Sequence, residues 1–183
     1  MPPLVKVGAW ENDKFIGTVI FSRGASSTLL NPYGLKQDEG CELTRVALNK
    51  HIAPVSRILM LAVKFLKKKS PDLKLIVSFA DANEGHHGGI YQATNWIYSG
   101  RTDKDTKYID ASGREWHSRQ VSEKGYNIQQ GNIRKTVKPS RCTKVLCGGK
   151  HRYLMPLTKE MKSKIIKLSK PYPKRQEHEI NAV

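Results

Sequence analysis

The first fifty residues alternate between short apolar segments and polar connections. Residues 4–10 and 15–21 have the composition of strands, and the charged segment 11–14 between them is typical of a turn. Residues 22–40 are rich in Ser, Gly, Asn and Pro, which predicts an irregular loop. Residues 41–48 predict a third strand. The pattern therefore indicates a β-hairpin, a loop and a further strand.

Residues 54–69 carry the clearest helical pattern of the chain. Apolar side chains recur there at helical spacing, at Val55, Ile58, Leu59, Ala62, Phe65 and Leu66. Pro54 suits the first turn of a helix, and Ser70-Pro71 ends it. The mostly apolar segment 73–79 then predicts a buried strand. A strand, a helix and a second strand in this order predict two parallel strands joined by a right-handed crossover.

The patterns in the second half of the chain are weaker. They predict a short helix and three strands, at 90–95, 96–100, 106–110 and 114–118. They also predict a helix near 120–130, a strand at 151–157 and a basic helix from Thr158 to about residue 169.

Together these elements indicate the α/β fold class, as a mixed sheet flanked by helices in a single domain. The domain is expected to span residues 1–170. Residues 171–183 are expected to form a basic, disordered tail, because the segment is charged and lacks an apolar pattern.

The composition adds a strong positive charge to this pattern. The 183 residues include 32 Lys and Arg against 16 Asp and Glu, a formal net charge of +16. Residues 1–100 hold twelve cations against eight anions, and residues 101–183 hold twenty against eight. Such an excess is typical of proteins that bind a polyanion, although Lys-rich surfaces can also serve solubility alone.

Several classes of protein do not fit this composition. No apolar run approaches the roughly 20 residues that cross a bilayer, and the first residues lack the apolar region of a signal peptide. Three cysteines without a Cys-x-x-Cys pair indicate neither a disulfide framework nor a cysteine zinc site. We therefore expect a soluble, intracellular protein without a membrane partner.

The densest group of polar residues follows the predicted strand 73–79. Ligands of open α/β sheets bind beyond the carboxyl ends of parallel strands, and Asp81, Glu84, His86 and His87 fall there beside glycines. A carboxylate can act as a general base or orient an amine, and a histidine can move a proton near neutral pH. A solvated loop has the same composition. Adjacent histidines are not the usual spacing of metal ligands, so we predict no metal site.

Candidates for the same site lie on two neighbouring elements. Tyr91 and Asn95, four positions apart, share one face of the predicted short helix, where Tyr91 can protonate a leaving group. A core tyrosine has the same appearance. Glu42, Thr44 and Arg45 lie on the strand predicted beside the site, and Arg45 there needs a carboxylate or phosphate partner. A structural, salt-bridged arginine is the alternative.

Basic residues interleaved with aromatic residues recur after residue 100. Arg and Lys can bind phosphates, and Trp116 or Tyr153 can stack on an unpaired base. Such residues can also protect edge strands from aggregation. The candidate nucleic-acid contacts are Arg101, Arg114, Trp116, Lys150, His151, Arg152 and Tyr153.

The order of these elements resembles the acyltransferase fold of the GNAT superfamily. Four strings resemble the Mom family of phage DNA-modification proteins more closely. They are Glu-Leu-Thr-Arg-Val at 42–46, Ser-Phe-Ala-Asp-Ala at 78–82, the segment 85–100 with its Gly-Gly-Ile-Tyr-Gln-Ala-Thr-Asn-Trp string, and Gly-Lys-His-Arg-Tyr at 149–153. The resemblance covers residues 4–157.

This resemblance implies an enzyme that converts the N6 amine of adenine in phage DNA into N6-carbamoylmethyladenine, which protects the phage genome from restriction. It implies double-stranded DNA as a partner and the host cytoplasm as the location. It implies Tyr91 as the acid. Together with the polar residues named above, the candidate catalytic residues are Asp81, Tyr91, Asn95, Glu42 and His86. Asp81 and Asn95 would contact the base or orient its amine, and the adenine would have to leave the duplex.

The acyl donor that the resemblance implies follows from a departure from the superfamily pattern. The superfamily binds the pyrophosphate of coenzyme A with a glycine-rich loop at the start of its long helix, whereas residues 49–58 here contain no glycine. We expect no tightly bound cofactor and favour glycyl-tRNA over acetyl-CoA, because some relatives with this fold use aminoacyl-tRNA. The donor-binding residues would be Thr44, Arg45, His51, Ser56 and Arg57.

Two alternatives from other classes stay open. One is a non-enzymatic nucleic-acid-binding protein in which the cluster around Asp81 is structural. The other is a metal-dependent nuclease that uses His86 and His87 as ligands.

Overall fold

The computed structural model describes residues 3–24, 26–129 and 131–175. The strands are β1 (Pro3–Glu11), β2 (Lys14–Ser22), β3 (Gly40–Leu48), β4 (Leu75–Ala80), β5 (Ile97–Arg101), β6 (Asp105–Asp110), β7 (Glu115–His117), β8 (Tyr126–Gln129), β9 (Asn132–Lys135), β10 (Cys142–Cys147) and β11 (His151–Pro156). The helices are α1 (Val55–Lys69), α2 (Gly89–Gln92) and α3 (Lys159–Ile165).

The chain divides into two compact units. The first unit runs to Arg101 and resumes at Lys150, and the second unit is Thr102–Gly149. We predicted one domain over 1–170, and those boundaries stay a prediction.

The first unit is built on a six-stranded sheet in the order β1-β2-β3-β4-β11-β5. The strands β3 and β4 pair in parallel, and every other neighbouring pair in this sheet is antiparallel. The mixed α/β class, the hairpin, the long helix and the parallel pair that crosses over through α1 are therefore confirmed.

Both faces of the central strands are buried, because successive side chains point to opposite sides of a strand. On β4, Ile76 joins the cluster packed against α1, while Leu75 and Val77 join a second cluster with residues of the 22–40 loop and of α3. Helices therefore flank the sheet on both faces, as predicted. The loop contributes Leu30 to the core, although its composition predicted only an irregular connection.

The second unit consists of short strands. One sheet has the order β10-β6-β7, and β8 and β9 form a separate two-stranded antiparallel ribbon. The helix predicted near 120–130 is wrong, because apolar and polar residues alternate there with a period of two, which suits a ribbon. The sequence pattern also predicted no strand between residues 131 and 149, where the structure has β9 and β10.

The last described residues lie along the first unit. The backbone N–H of Lys170 donates to the carbonyl of Tyr98, and the Tyr172 hydroxyl donates to the carbonyl of Trp96 at 2.7 Å. The tail predicted at 171–183 therefore begins with packed residues, and its part from 176 onward lies outside the described residues. In the described part of the chain, no helix is both long and apolar enough to cross a membrane.

Candidate active site

The parallel strands β3 and β4 diverge after a short paired stretch. Their pairing ends at Leu43 and Ser78, although β3 continues to Leu48 and β4 to Ala80. Beyond these positions β3 pairs with β2 and β4 pairs with β11. The two strands thus separate in the middle of the sheet, and a cleft opens between their carboxyl ends.

A β-bulge at Thr44 accompanies this divergence. Ile20 of β2 pairs with Arg45 of β3, and the next residue, Phe21, pairs with Leu43, which leaves Thr44 as the extra residue. A bulge bends its strand and redirects the side chains beside it. The Thr44 hydroxyl donates to the carbonyl of Ile20 at 3.1 Å, which holds the bulge against β2.

The cleft has a volume of about 760 Å³. The two diverging strands form its walls, and the segment after β4 with the start of α2 forms its floor. Its lining residues are Leu43, Thr44, Arg45, Val46, Ala47, Phe79, Ala80, Asp81, Gly85, His86, His87, Gly88, Gly89, Ile90, Tyr91 and Arg175. Arg45 and Arg175 make the cleft cationic, since Asp81, the one acidic residue among the described residues that line it, pairs with Lys150 at 3.5 Å.

Tyr91 is held at the cleft by packing and by one hydroxyl group. Its ring lies 5.1 Å from that of Trp96 and 4.9 Å from that of Tyr153, measured between centroids. The buried Ser78 hydroxyl lies 2.8 Å from the Tyr91 hydroxyl and 2.8 Å from the carbonyl of Leu43. Because a carbonyl only accepts and a serine has one proton, both bonds form together when Ser78 donates to Leu43 and Tyr91 donates to Ser78.

Burial raises the pKa of Tyr91, and the negative charge of Glu42 raises it further. The phenol is therefore protonated at neutral pH. A protonated hydroxyl at the base of a cleft is the form that a general acid needs.

The segment after β4 is tied down by its backbone. Asp81 accepts a bond from the backbone N–H of Asn83 at 3.1 Å, and its carbonyl accepts from the N–H of His86 at 3.0 Å. The carbonyl of His87 accepts from the Tyr153 hydroxyl and from the Gln92 amide. These bonds present the exposed His86 at the cleft on a defined backbone.

Asp81 lies at the predicted place but is engaged in local bonds. Partial burial raises the pKa of its carboxyl, but the Asn83 N–H and the Lys150 ammonium outweigh burial and leave the pKa below its ordinary value. Asp81 is therefore ionised at neutral pH and a weak base. Its geometry suits the stabilisation of the loop better than proton abstraction.

The other two residues predicted to be catalytic do not line the cleft. Glu42 is half-buried on β3, and its charge reaches Tyr91. Asn95 is exposed and adopts a left-handed conformation with φ of 57°. The helix predicted at 90–95 is too long, because α2 ends at Gln92, so Tyr91 and Asn95 do not share a helical face.

The segment before α1 binds a carboxylate of the same chain. The carboxylate of Glu11, at the end of β1, accepts bonds from the backbone N–H groups of Ile52 and Ala53, each at 2.7 Å. These two bonds lower the pKa of Glu11. Two N–H groups of the segment before α1 are thus already occupied by a carboxylate of the same chain.

The residues predicted to bind the donor separate into two groups. Thr44 and Arg45 line the cleft, and both are exposed. His51, Ser56 and Arg57 do not line it. His51 bonds the carbonyl of Ala53 through Nδ1 at 2.8 Å, and Arg57 lines an apolar groove between the hairpin and α1.

The residues predicted to bind nucleic acid also separate. Arg114 and Trp116 belong to the second unit, where the Arg114 guanidinium lies 4.2 Å from the centre of the Trp116 ring. In the first unit, Arg101 is exposed and Lys150 is half-buried. Their remaining neighbours on β11 are His151, Arg152 and Tyr153.

Two of the residues predicted to bind nucleic acid in the first unit are buried. Tyr153 is fully buried and His151 is buried, so neither ring offers a face on which an unpaired base could stack. Tyr153 instead packs in an aromatic group with Tyr91 and Tyr98. Arg152 is half-buried on the same strand.

Three site residues were missed in the sequence. The sequence did contain a signal for Ser78, because it is the one hydroxyl residue within the apolar segment 73–79. Arg175 lay in the segment assigned to the tail, and Glu11 looked like an ordinary turn residue. No group of three or more His, Cys, Asp or Glu residues in the described ranges is arranged to hold a metal ion. The alternative of a nuclease with His86 and His87 as ligands stays a hypothesis.

Comparison with known proteins agrees with the family resemblance of the sequence strings that contribute residues to this cleft. The Mom protein family matches this chain over residues 2–174. The chain belongs to the Mom protein family. No curated protein matches it. A solved structure of a Bacillus subtilis acetyltransferase in complex with CoA is similar to it with a TM-score of 0.44 and 13% identity, over 84% of this chain and 76% of that chain.

Proposed function

We propose that this Mom-family protein transfers a glycyl unit to the N6 amine of adenine in duplex DNA. The observation that carries the proposal is the cationic cleft between the diverging strands β3 and β4, with the protonated Tyr91 hydroxyl at its floor. A guanidinium pair suits phosphate groups, and a buried phenol suits the protonation of a leaving oxygen.

The roles follow from the geometry of the cleft. The N6 amine of an extruded adenine attacks the carbonyl carbon of the donor, and the exposed His86 accepts the proton that N6 loses. Tyr91 turns its hydroxyl proton from Ser78 to the departing 3′ oxygen of the donor. Arg45 and Arg175 bind phosphates of the nucleic acid, and Thr44 contributes the bulged wall of the cleft.

Glycyl-tRNA is the donor that we propose in place of acetyl-CoA. The Glu11 carboxylate supports this choice, because it already takes the N–H groups of Ile52 and Ala53 and would repel a pyrophosphate there. The absence of glycine from residues 49–58 also disfavours a pyrophosphate at this segment.

The product requires two steps if every atom is to balance. Acyl transfer forms a bond between N6 and the glycyl carbonyl carbon, breaks the ester bond to the tRNA, and yields N6-glycyladenine. The free glycyl amine then attacks C6 through a five-membered ring, and the original C6–N6 bond breaks. The result is N6-carbamoylmethyladenine, an isomer of the first product, formed without an oxidant or reductant.

A conservative substitution tests the site. Tyr91→Phe is expected to abolish the modification, measured by nucleoside mass spectrometry, while DNA affinity and folding stay unchanged. Tyr33→Phe is the matched control, because Tyr33 is buried in the other core cluster and does not line the cleft. Full modification by Tyr91→Phe contradicts the proposed site. A wild-type protein that binds DNA but leaves its mass unchanged is a binding protein instead.

Isotopic labelling tests the donor and the rearrangement together. Purified protein, DNA and glycyl-tRNA that carries 15N in its glycine should yield a modified adenine with the label on the nitrogen attached to the purine ring. Fragmentation that releases the amide nitrogen should therefore release no label. Product formed from acetyl-CoA under RNA-free conditions contradicts the donor, and label in the amide nitrogen contradicts the rearrangement.

A further inference from the structure

The ribbon of β8 and β9 in the second unit exposes apolar side chains. Ile128 and Ile133 are directly paired across the two strands, and their exposures are 69% and 72%. Tyr126 and Lys135, the cross-strand pair two residues further along, project from the same face, and Tyr126 is 42% exposed. Exposed apolar patches of this kind mark interaction sites.

The base of the ribbon is anchored, so its apolar face is held in a defined position. The backbone N–H of Thr136 donates to the carbonyl of Gly125, and Val137 bridges to Val121. The Asn127 side chain donates to the carbonyl of Arg119 at 2.9 Å.

The surface beside the ribbon is cationic. A concavity of about 640 Å³ within the second unit is lined by the ribbon and by the segment that follows β7. Arg119, Arg134 and Lys135 line it, together with the Trp116 ring, and no acidic side chain is among its described lining residues. This arrangement suits a polyanion that also presents flat apolar groups.

We propose that this ribbon is a wedge that enters duplex DNA and unstacks base pairs with Ile128 and Ile133, while Arg119 and Arg134 bind the flanking phosphates. A two-stranded ribbon fits a groove of B-form DNA, whereas the deep, narrow major groove of A-form RNA excludes it. Proteins that kink DNA insert apolar side chains between base steps in this way. The inference rests on the proposed function, because adenine N6 can react only after the base leaves the stack.

Two exposed isoleucines provide a variant that does not touch the core. Ile128→Ser/Ile133→Ser in the full chain should bind fully paired duplex DNA about tenfold more weakly than the wild type. It should also lose the fluorescence increase that 2-aminopurine shows in duplex DNA when its base unstacks. Duplex DNA with an abasic site opposite the target adenine should restore binding, because a base without a pairing partner costs less to displace from the stack. Ile52→Ser is the matched control, since Ile52 is 85% exposed and lies in the first unit.

A charge variant separates phosphate contact from unstacking. Arg134→Gln should lower the slope of log K against log salt concentration by about 0.9, the value expected for one phosphate contact. The isoleucine variant should leave this slope unchanged.

The outcomes distinguish the wedge from the reaction. Equal affinity and equal 2-aminopurine fluorescence in the isoleucine variant overturn the wedge. The wedge is also overturned if the isoleucine variant binds duplex DNA normally but is impaired in tRNA binding or in self-association. The ribbon would then bind RNA or a second copy of this chain. If the wild-type protein unstacks DNA through this ribbon but modifies no adenine, the proposed function fails and the wedge stands.

Discussion

At the scale of single residues, Ser78 connects the divergence of the strands to the candidate acid. It is fully buried, and its hydroxyl meets both the last paired residue of β3 and the Tyr91 phenol. A polar residue in a buried strand is unfavourable unless its hydroxyl is bonded. Here the bonds hold the phenol at the point where the cleft begins.

Replacement of Ser78 tests this connection. Ser78→Ala leaves the buried Tyr91 hydroxyl and the Leu43 carbonyl without this partner, so the free energy of unfolding should fall by about 1–3 kcal/mol. Urea denaturation measures the loss, and the rate of adenine modification should fall with it. Unchanged stability and unchanged activity would show that Ser78 positions nothing.

Gly88 is a second residue whose identity is set by its surroundings. Its φ is 83°, and a Cβ there would lie 2.3 Å from the Tyr153 ring. Gly88→Ala should therefore cost about 2–4 kcal/mol of stability from backbone strain and from the clash. Gly113→Ala is the control, since Gly113 has a similar φ of 82° with nothing within 4 Å. Equal losses in both variants would mean that the contact with Tyr153 contributes nothing.

At the scale of elements, β11 and β5 enclose a buried histidine. The Arg101 guanidinium faces His151 Nε2 at 3.5 Å, so Nε2 accepts and the proton sits on Nδ1, which donates to the Tyr98 hydroxyl at 2.9 Å. Burial lowers the pKa of His151, and the positive charge of the Arg101 guanidinium lowers it further. The element pair is therefore built around a neutral imidazole.

This arrangement predicts a dependence of stability on pH. In the unfolded chain His151 takes up a proton as the pH falls through about 6.5, while in the folded state it does so only at lower pH. The unfolded state then holds more protons, so the free energy of unfolding should decrease as the pH falls from 7 to 5. His151→Gln should reduce this slope in denaturant titrations. An equal slope in the variant would contradict the assignment.

The elements differ in how well their sequence patterns predicted them. The hairpin and α1 carry strong local patterns, since their apolar residues recur with the period of one element. The helix predicted near 120–130 overlaps β8, and β9 was not predicted, because the apolar residues of this ribbon are few and exposed. The shortness of α2 also escaped prediction. The chain leaves this helix through a left-handed turn at Asn95, where the backbone N–H of Trp96 donates to the carbonyl of Tyr91.

At the scale of the whole molecule, the positive charge governs association. A net charge of +16 on 183 residues predicts that DNA binding releases counterions. Each neutralised phosphate contributes about 0.9 to the slope of log K against log salt concentration.

The expected result is a salt-sensitive affinity. If only two phosphates are neutralised, the affinity for duplex DNA should fall about tenfold between roughly 50 and 200 mM salt. Fluorescence anisotropy with a labelled duplex measures the slope. An affinity that does not change with salt would show that the charge serves solubility and not binding.

The sequence by itself determined the class of fold, the family and the position of the cleft after β4, because periodicity, motif strings and the ends of parallel strands are local properties of the chain. Only the tertiary structure decided which polar residues meet. It paired Asp81 with Lys150, buried His151 and Tyr153, ended α2 before Asn95, and placed Glu11 on the loop before α1. Such contacts join residues far apart in the chain, and burial and register, which no local pattern specifies, determine them.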